Sequence, residues 1–202
     1  GQVNALAVSG AEVGTILRAE AVARPGHGKL RVTGVVAQEE VSDGRGHRLR
    51  RSGTARDSAE AARTALSGMG VPVERYDIHV NFPGGALVDG PSAGLAMAVA
   101  MRSAIAGEPV APDAAMTGEI SVTGAVLSVG GVRAKVRAAA RAGLRRVLIP
   151  WDDRDEAGEG GIDVIPVRTL QEALELLRAP AAAHLPAAIP PAVLSACPAK
   201  NA

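Results

Sequence analysis

Residues 82–106 read FPGGALVDGPSAGLAMAVAMRSAIA: a proline- and glycine-rich approach, a Gly-Pro-Ser-Ala-Gly turn, then an apolar, Ala-rich run. The stretch predicts a core helix that starts at Pro91. A proline suits the first helical position, because its φ already matches a helix and its missing N–H has no intrahelical partner to lose. Ser92 is then the second helical residue. There it lies among unpaired backbone amides at the positive end of a helix dipole, where negative charge on a neighbouring carbonyl oxygen is stabilised. Gly90 and Gly94, without side chains, admit close approach of another backbone on either side. Asp89 and Ser92 would also serve as plain caps of a core helix, so the turn names a candidate nucleophile and leaves its use to the rest of the chain.

The chain has 202 residues, of which 47% are hydrophobic and only 1% aromatic, so its core must be built from Ala, Val, Leu and Ile. A net charge of +1 argues against a binder held by bulk electrostatics. The single cysteine, Cys197, rules out a disulfide framework within the chain. GQVNALAVSG lacks the pattern of a signal peptide, and no apolar run is long enough to span a bilayer. A cytoplasmic protein without a membrane partner is expected. The lysines are only Lys29, Lys135 and Lys200 among many arginines, which matters because a buried lysine can act as a base near neutral pH and an arginine cannot.

Outward from the central stretch, short and partly alternating apolar runs at 3–8, 15–23 and in LRVTGVV predict three strands of an antiparallel sheet. Glu20 falls inside the second. The segment VSDGRGHRLRRSGTARDS, with arginines from Arg45 to Arg56 crowded around His47, reads as an exposed loop. A helix is predicted from Ser58 to Met69, stopped by Gly70, and a strand in YDIHVNF, which carries His79. After the central helix, AAMTGEISVTGAVLSVGG alternates around Thr123-Gly124 as a hairpin does, and VRAKVRAAARAG predicts a helix stopped by Gly143. RRVLIP and residues 162–167 follow as strands, and residues 170–177 as a closing helix. These strands and helices together read as an α+β domain over residues 1–179, followed by an Ala/Pro-rich tail, 180–202, expected from its composition to be disordered.

On a helical wheel Arg133, Arg137 and Arg141 cluster at about 0°, 40° and 80°, which marks the solvent face, while Lys135 falls at about 200° and points inward. Val132, Val136 and Ala139 flank it. A buried ammonium is costly, and the usual relief is a lowered pKa. A neutral lysine is a competent base for a serine, which alone is a weak nucleophile. The alternative is a lysine whose stem packs inward while its head reaches solvent or a carboxylate.

DIHVNFPGGALVDGPSAGLAMAVA and MTGEISVTGAVLSVGGVRAKVRAAARAGLRRVLIP together resemble the proteolytic domain of Lon proteases, the ATP-dependent family with a serine-lysine dyad. The resemblance covers most of the chain up to about Arg178. It implies a fold of small antiparallel sheets and helices with the catalytic serine at a helix N-terminus, Ser92 as nucleophile and Lys135 as base. It also implies that Thr117 holds the lysine, that Asp89 orients it, that Gly90 belongs to the turn whose amides bind the oxyanion, and that His79 and Glu20 support the site. FPGG and the basic insertion resemble the B-type or AAA-less branches. Unfolded or damaged proteins are the implied substrates, and a homo-hexameric ring the implied assembly.

No G-x-x-x-x-G-K-[ST] motif occurs, so no cofactor or metal is expected here, and ATP with Mg would belong only to an ATPase part of a longer parent. Three rival readings remain at this stage. One is a Lon-like scaffold or binding domain that keeps the fold without the chemistry. Another is a hydrolase with His79 as base. The third, compatible with the first reading, is contact with DNA through the loop from Arg45 to Arg56.

Overall fold

The computed structural model describes residues 1–9, 13–35, 38–42, 48–52, 54–84, 90–158 and 161–178. The tail from 180 to 202 lies outside the described residues, as do Asp89, Arg45 and His47. The chain opens with β1 (Gln2–Ser9) and β2 (Val13–Pro25), which pair antiparallel from Gln2 opposite Glu20 to Ser9 opposite Val13. β3 (Leu30–Thr33) follows. The basic segment expected to be a loop holds a hairpin instead, β4 (Gln38–Ser42) with β5 (Arg48–Ser52). Its register sets Glu39 opposite Arg51 and Glu40 opposite Arg50, a pairing that polar composition alone conceals.

Next come α1 (Thr54–Gly68), β6 (Tyr76–Asn81) and α2 (Gly94–Ala106). α1 begins four residues earlier than its periodicity indicates, so Arg56 lies on its exposed side. After α2 the chain forms β7 (Ala114–Met116), the hairpin of β8 (Glu119–Ile120) and β9 (Val126–Leu127), and α3 (Val132–Arg141). It closes with β10 (Arg146–Pro150), β11 (Asp163–Val167) and α4 (Leu170–Leu176).

Seven strands make one mixed sheet in the order β11-β10-β7-β1-β2-β6-β3. The α+β class stands, but the N-terminal strands do not form a separate antiparallel sheet. β3 lies parallel to β6 rather than antiparallel to β2, because α1 intervenes between them and a helical crossover returns the chain in the same direction. β1, β7, β10 and β11 are likewise parallel neighbours.

Side-chain alternation across these strands gives the sheet two faces, and each has its own core. On one face Val3, Ala5, Ala19, Ala21, Ile78 and Val80 pack under α1, α2 and α4; on the other Leu6, Ala115, Val147 and Ile149 pack under α3. α2 is buried along Gly94–Met101, as befits a helix apolar all round. The arginine stripe of α3 faces solvent while Val132, Lys135, Val136 and Ala139 face inward.

Candidate active site

The site forms where β7 runs out. Thr117 follows β7 directly, and its amide donates to the Leu148 carbonyl on the neighbouring parallel strand (3.0 Å). The next residue reaches sideways to the central turn: Gly118 N–H donates to the Ser92 carbonyl (3.0 Å), and Leu95 N–H returns a bond to the Gly118 carbonyl (3.0 Å). Ser92 is therefore stitched to the end of β7.

The turn carrying the serine differs in one respect from the expected helix start. Pro91–Ala93 forms a single 3-10 turn, and the α-helix proper begins at Gly94, whose amide bonds back to the Pro91 carbonyl. Gly90, just before the turn, has φ 101°, a backbone conformation that an L side chain rarely adopts. Its glycine is required by that angle rather than by close packing, since a Cβ there would meet nothing within 4 Å. Gly94 is the packing glycine: a Cβ would lie 2.5 Å from Ser58 Oγ and 3.0 Å from the Ile120 amide nitrogen.

Lys135 reaches the same spot from the opposite layer. Its side chain is 1% exposed and Thr117 is fully buried. Nζ donates to Thr117 Oγ1 (3.1 Å), and that hydroxyl donates in turn to the Ser92 carbonyl (3.3 Å). Lysine, threonine and serine peptide thus form one buried relay across the sheet edge. Burial pulls the Lys135 pKa down from 10.5 to about 8, against the opposing attraction of the Asp153 charge. At that value about a tenth of the amine is neutral at pH 7, enough for a base.

Of the residues singled out from the sequence, the structure brings together Ser92, Thr117 and Lys135, with Gly90 adjoining; Asp89 falls outside the described residues. His79 and Glu20 are not brought to them. By strand register Thr117 comes level with Leu6 and Ile16, whereas Glu20 is four residues further along β2 and His79 pairs with Val22, six further. At strand rise those offsets are about 13 Å and about 20 Å. Glu20 Oε1 accepts from Gln2 Nε2 (3.3 Å), and the exposed His79 ring shares a hydrogen bond with Thr33 Oγ1 (2.9 Å).

Two residues escaped the sequence reading. Ser58 on α1 is 6% exposed and donates to the Pro91 carbonyl (3.2 Å), bracing the serine turn from α1. The apolar stripe Ala55, Ala59, Ala62, Leu66 holds the readable signal, since Ser58 interrupts it as a polar residue. Asp153 is 3% exposed in the 3-10 turn Trp151–Glu156, while Asp152 and Asp155 beside it are exposed. Nothing in WDDRDE distinguishes the buried acid from its neighbours. Among the described residues no group of three or more His, Cys, Asp or Glu is arranged to hold a metal ion, and no helix is long and apolar enough to cross a membrane.

A serine at a tight turn, tied through one hydroxyl to a desolvated lysine, together with this layered fold, defines a serine peptidase domain. The chain belongs to the Lon protease (S16) C-terminal proteolytic domain family, whose model matches residues 1–179. It is 42% identical to Lon protease 2 of Bacillus subtilis over 179 residues, 87% of this chain and 32% of that protein. It is 44% identical to the Lon protease of Methylocella silvestris over 154 residues (72% of this chain, 17% of that one). It is 39% identical to the Lon protease of Escherichia coli over 191 residues (87% and 22%). The chain therefore spans a third or less of the length of these curated relatives. This kinship supports a protease and not the scaffold that has lost its chemistry.

Proposed function

We propose that this domain is the endopeptidase part of a Lon-type protease, that it cuts unfolded or damaged proteins, and that Ser92 and Lys135 carry the chemistry. The observation that carries the reading is the buried relay from Lys135 Nζ through Thr117 Oγ1 to the Ser92 peptide. In the reaction the neutral amine moves from the Thr117 hydroxyl to Ser92 Oγ and accepts its proton as the oxygen attacks the scissile carbonyl. The C–O bond forms, the carbonyl π electrons move to oxygen, and amides of the serine turn stabilise that oxyanion. Collapse breaks the C–N bond, and the Lys135 ammonium gives its proton to the leaving amine. Water, deprotonated by the same lysine, then releases the acyl group and restores the serine.

Family kinship supports further readings about the whole protein: a homo-hexameric ring that admits only unfolded chains, a cytoplasmic site of action, and ATP with Mg as cofactors of an ATPase part of a longer parent. The domain reading spans residues 1–179, with the Ala/Pro-rich remainder as a tail. The experiment that tests the catalytic reading is cleavage of an unfolded model protein and of a short unstructured peptide, without nucleotide, by the parent chain, Ser92→Ala and Lys135→Ala, with particle mass recorded alongside. Peptide cleavage that both substitutions abolish supports the dyad. Cleavage that persists in Lys135→Ala but vanishes in His79→Ala would transfer the base to the histidine.

A further inference from the structure

Resting on the serine-lysine reading above, we propose that Asp153 is a positioning residue for that site. Its buried carboxylate anchors the loop that launches α3 and keeps Lys135 able to hold a proton between its two transfers. The anchoring is direct. One carboxylate oxygen accepts from Ser128 Oγ and the other from the Val129 amide (2.9 Å), so both oxygens are spent on the segment that runs from β9 into the first turn of α3. Lys135 is the fourth residue of that helix, and its amide bonds to the carbonyl of Gly131 at the end of the same segment (3.1 Å). Moving the loop therefore moves the lysine.

The electrostatic part follows from the chemistry of the proposed reaction. A base that removes the Ser92 proton becomes an ammonium in a place with almost no water, and must keep that proton until the amine departs. Desolvation alone would make the lysine too weak a base to take it. A buried negative charge offsets that tendency.

The other charges on elements packed against α3 are badly placed for the task. Arg18 and Arg24 on β2 are exposed, and Glu20 lies at a distance along that strand. Arg146 of β10 projects with Leu148 to the opposite face, where it pairs with Asp113 (3.2 Å). Asp152, Arg154, Asp155 and Glu156 of the turn are exposed, as are Arg133, Arg137 and Arg141 of α3 itself. Among the described residues, Asp153 is the charge that raises the proton affinity of the amine. Its carboxylate and the Lys135 amine thus divide the work: burial makes the amine available as a base, and the acid keeps that base strong enough to act.

The chain has three lysines, so selective 13C labelling of the lysine ε-carbons yields three NMR titrations, with Lys135 identified by its loss in Lys135→Met. In the parent the Lys135 midpoint should lie near 8. In Asp153→Asn, which keeps the size of the side chain and lets Oδ1 still accept from the Val129 amide while Nδ2 donates to Ser128 Oγ, the midpoint should fall by about one unit. Asp153→Ala should lower it too, and Asp153→Glu should restore part of the shift. Fluorescence of Trp151, the single tryptophan and a near neighbour of Asp153, reports whether each variant is folded.

The acid limb of kcat/KM for peptide cleavage should move with the NMR midpoint. An unchanged Lys135 midpoint in folded Asp153→Asn or Asp153→Ala overturns the inference, whatever the activity. A folded parent that cleaves nothing, with a Lys135 midpoint that still moves in Asp153→Asn, would instead remove the peptidase reading and leave the coupling intact. Asp89, outside the described residues, is controlled by Asp89→Asn: a shift there and none at position 153 would assign the role to Asp89 and overturn the one proposed for Asp153.

Discussion

The residue on which most depends is Thr117, because its one hydroxyl serves two partners: it receives the Lys135 proton donor and donates to the Ser92 carbonyl. Thr117→Val keeps the shape and removes both bonds. Since the lysine would then be free to settle elsewhere, kcat should fall about 10- to 100-fold with KM little changed, and leaving a buried amine without its partner should cost about 1–3 kcal/mol of stability. Steady-state cleavage of a peptide and denaturant unfolding read the two effects separately; a KM effect alone would count against the positioning role. The pH profile is the second test at this scale. With Lys135 titrating near 8, kcat/KM should rise about tenfold per pH unit below that value and level off above it. Serine, lysine and threonine were legible in the sequence because each sits in a locally distinctive pattern: a G-P-S turn, an inward position on an arginine-striped wheel, and the M-T-G-E match to Lon proteases. Asp153 and Ser58 were not legible as partners, since which acid or hydroxyl faces a site depends on how distant elements stack.

At the scale of elements, the serine turn is clamped between two layers. Ser58 of α1 holds the Pro91 carbonyl, the Thr117-Gly118 pair holds the Ser92 carbonyl, and Gly94 lets α1 and the β8 amide come within contact of the helix start. Gly94→Ala should therefore destabilise the domain by about 1–3 kcal/mol through overpacking. Ser58→Ala removes one of the two obstructions as well as the Pro91 bond, so the double variant should lose less than the sum of the two single losses when compared by thermal unfolding. Strict additivity would mean that the two side chains do not meet. Helices and most strands were readable because their periods are local. The local antiparallel pairs β1–β2 and β8–β9 were readable too, but pairing between distant strands was not. β3 looks like the third strand of an antiparallel meander until α1, intervening before β6, reverses the logic and makes it a parallel edge strand. The hairpin of β4 and β5 was hidden for a different reason: its residues are polar, and polar composition reads as loop unless the cross-strand register is known.

On the scale of the molecule, the site lies where open sheets commonly place theirs, beyond the carboxyl ends of neighbouring parallel strands. Thr117 follows β7 and Asp153 follows β10, two adjacent strands of the same direction, so the relay and the carboxylate that braces it leave the sheet from the same edge. His79 on β6 and Glu20 on β2 lie beyond β1 on the other side of the sheet from β7 and β10, so nearness to Ser92 in sequence does not bring His79 to the relay. Burying a lysine at the junction of the two cores carries a measurable cost. In the unfolded chain Lys135 titrates near its ordinary value of 10.5, and in the folded domain at about 8. Below pH 8 both states hold the proton and the full penalty of a buried ammonium is present. Between 8 and 10.5 the folded state has released its proton while the unfolded state retains it, so unfolding takes up a proton and stability rises with pH; above 10.5 the penalty is gone. The effect opposes the usual alkaline loss of stability, and it belongs to this one side chain. Unfolding by denaturant, followed by Trp151 fluorescence in the parent and in Lys135→Met across pH 7 to 11, should show the parent gaining on the variant through that window. Two curves that stay parallel would mean that the amine reaches water in the folded state, and a solvated lysine of ordinary pKa would be too fully protonated near neutrality to serve as the base.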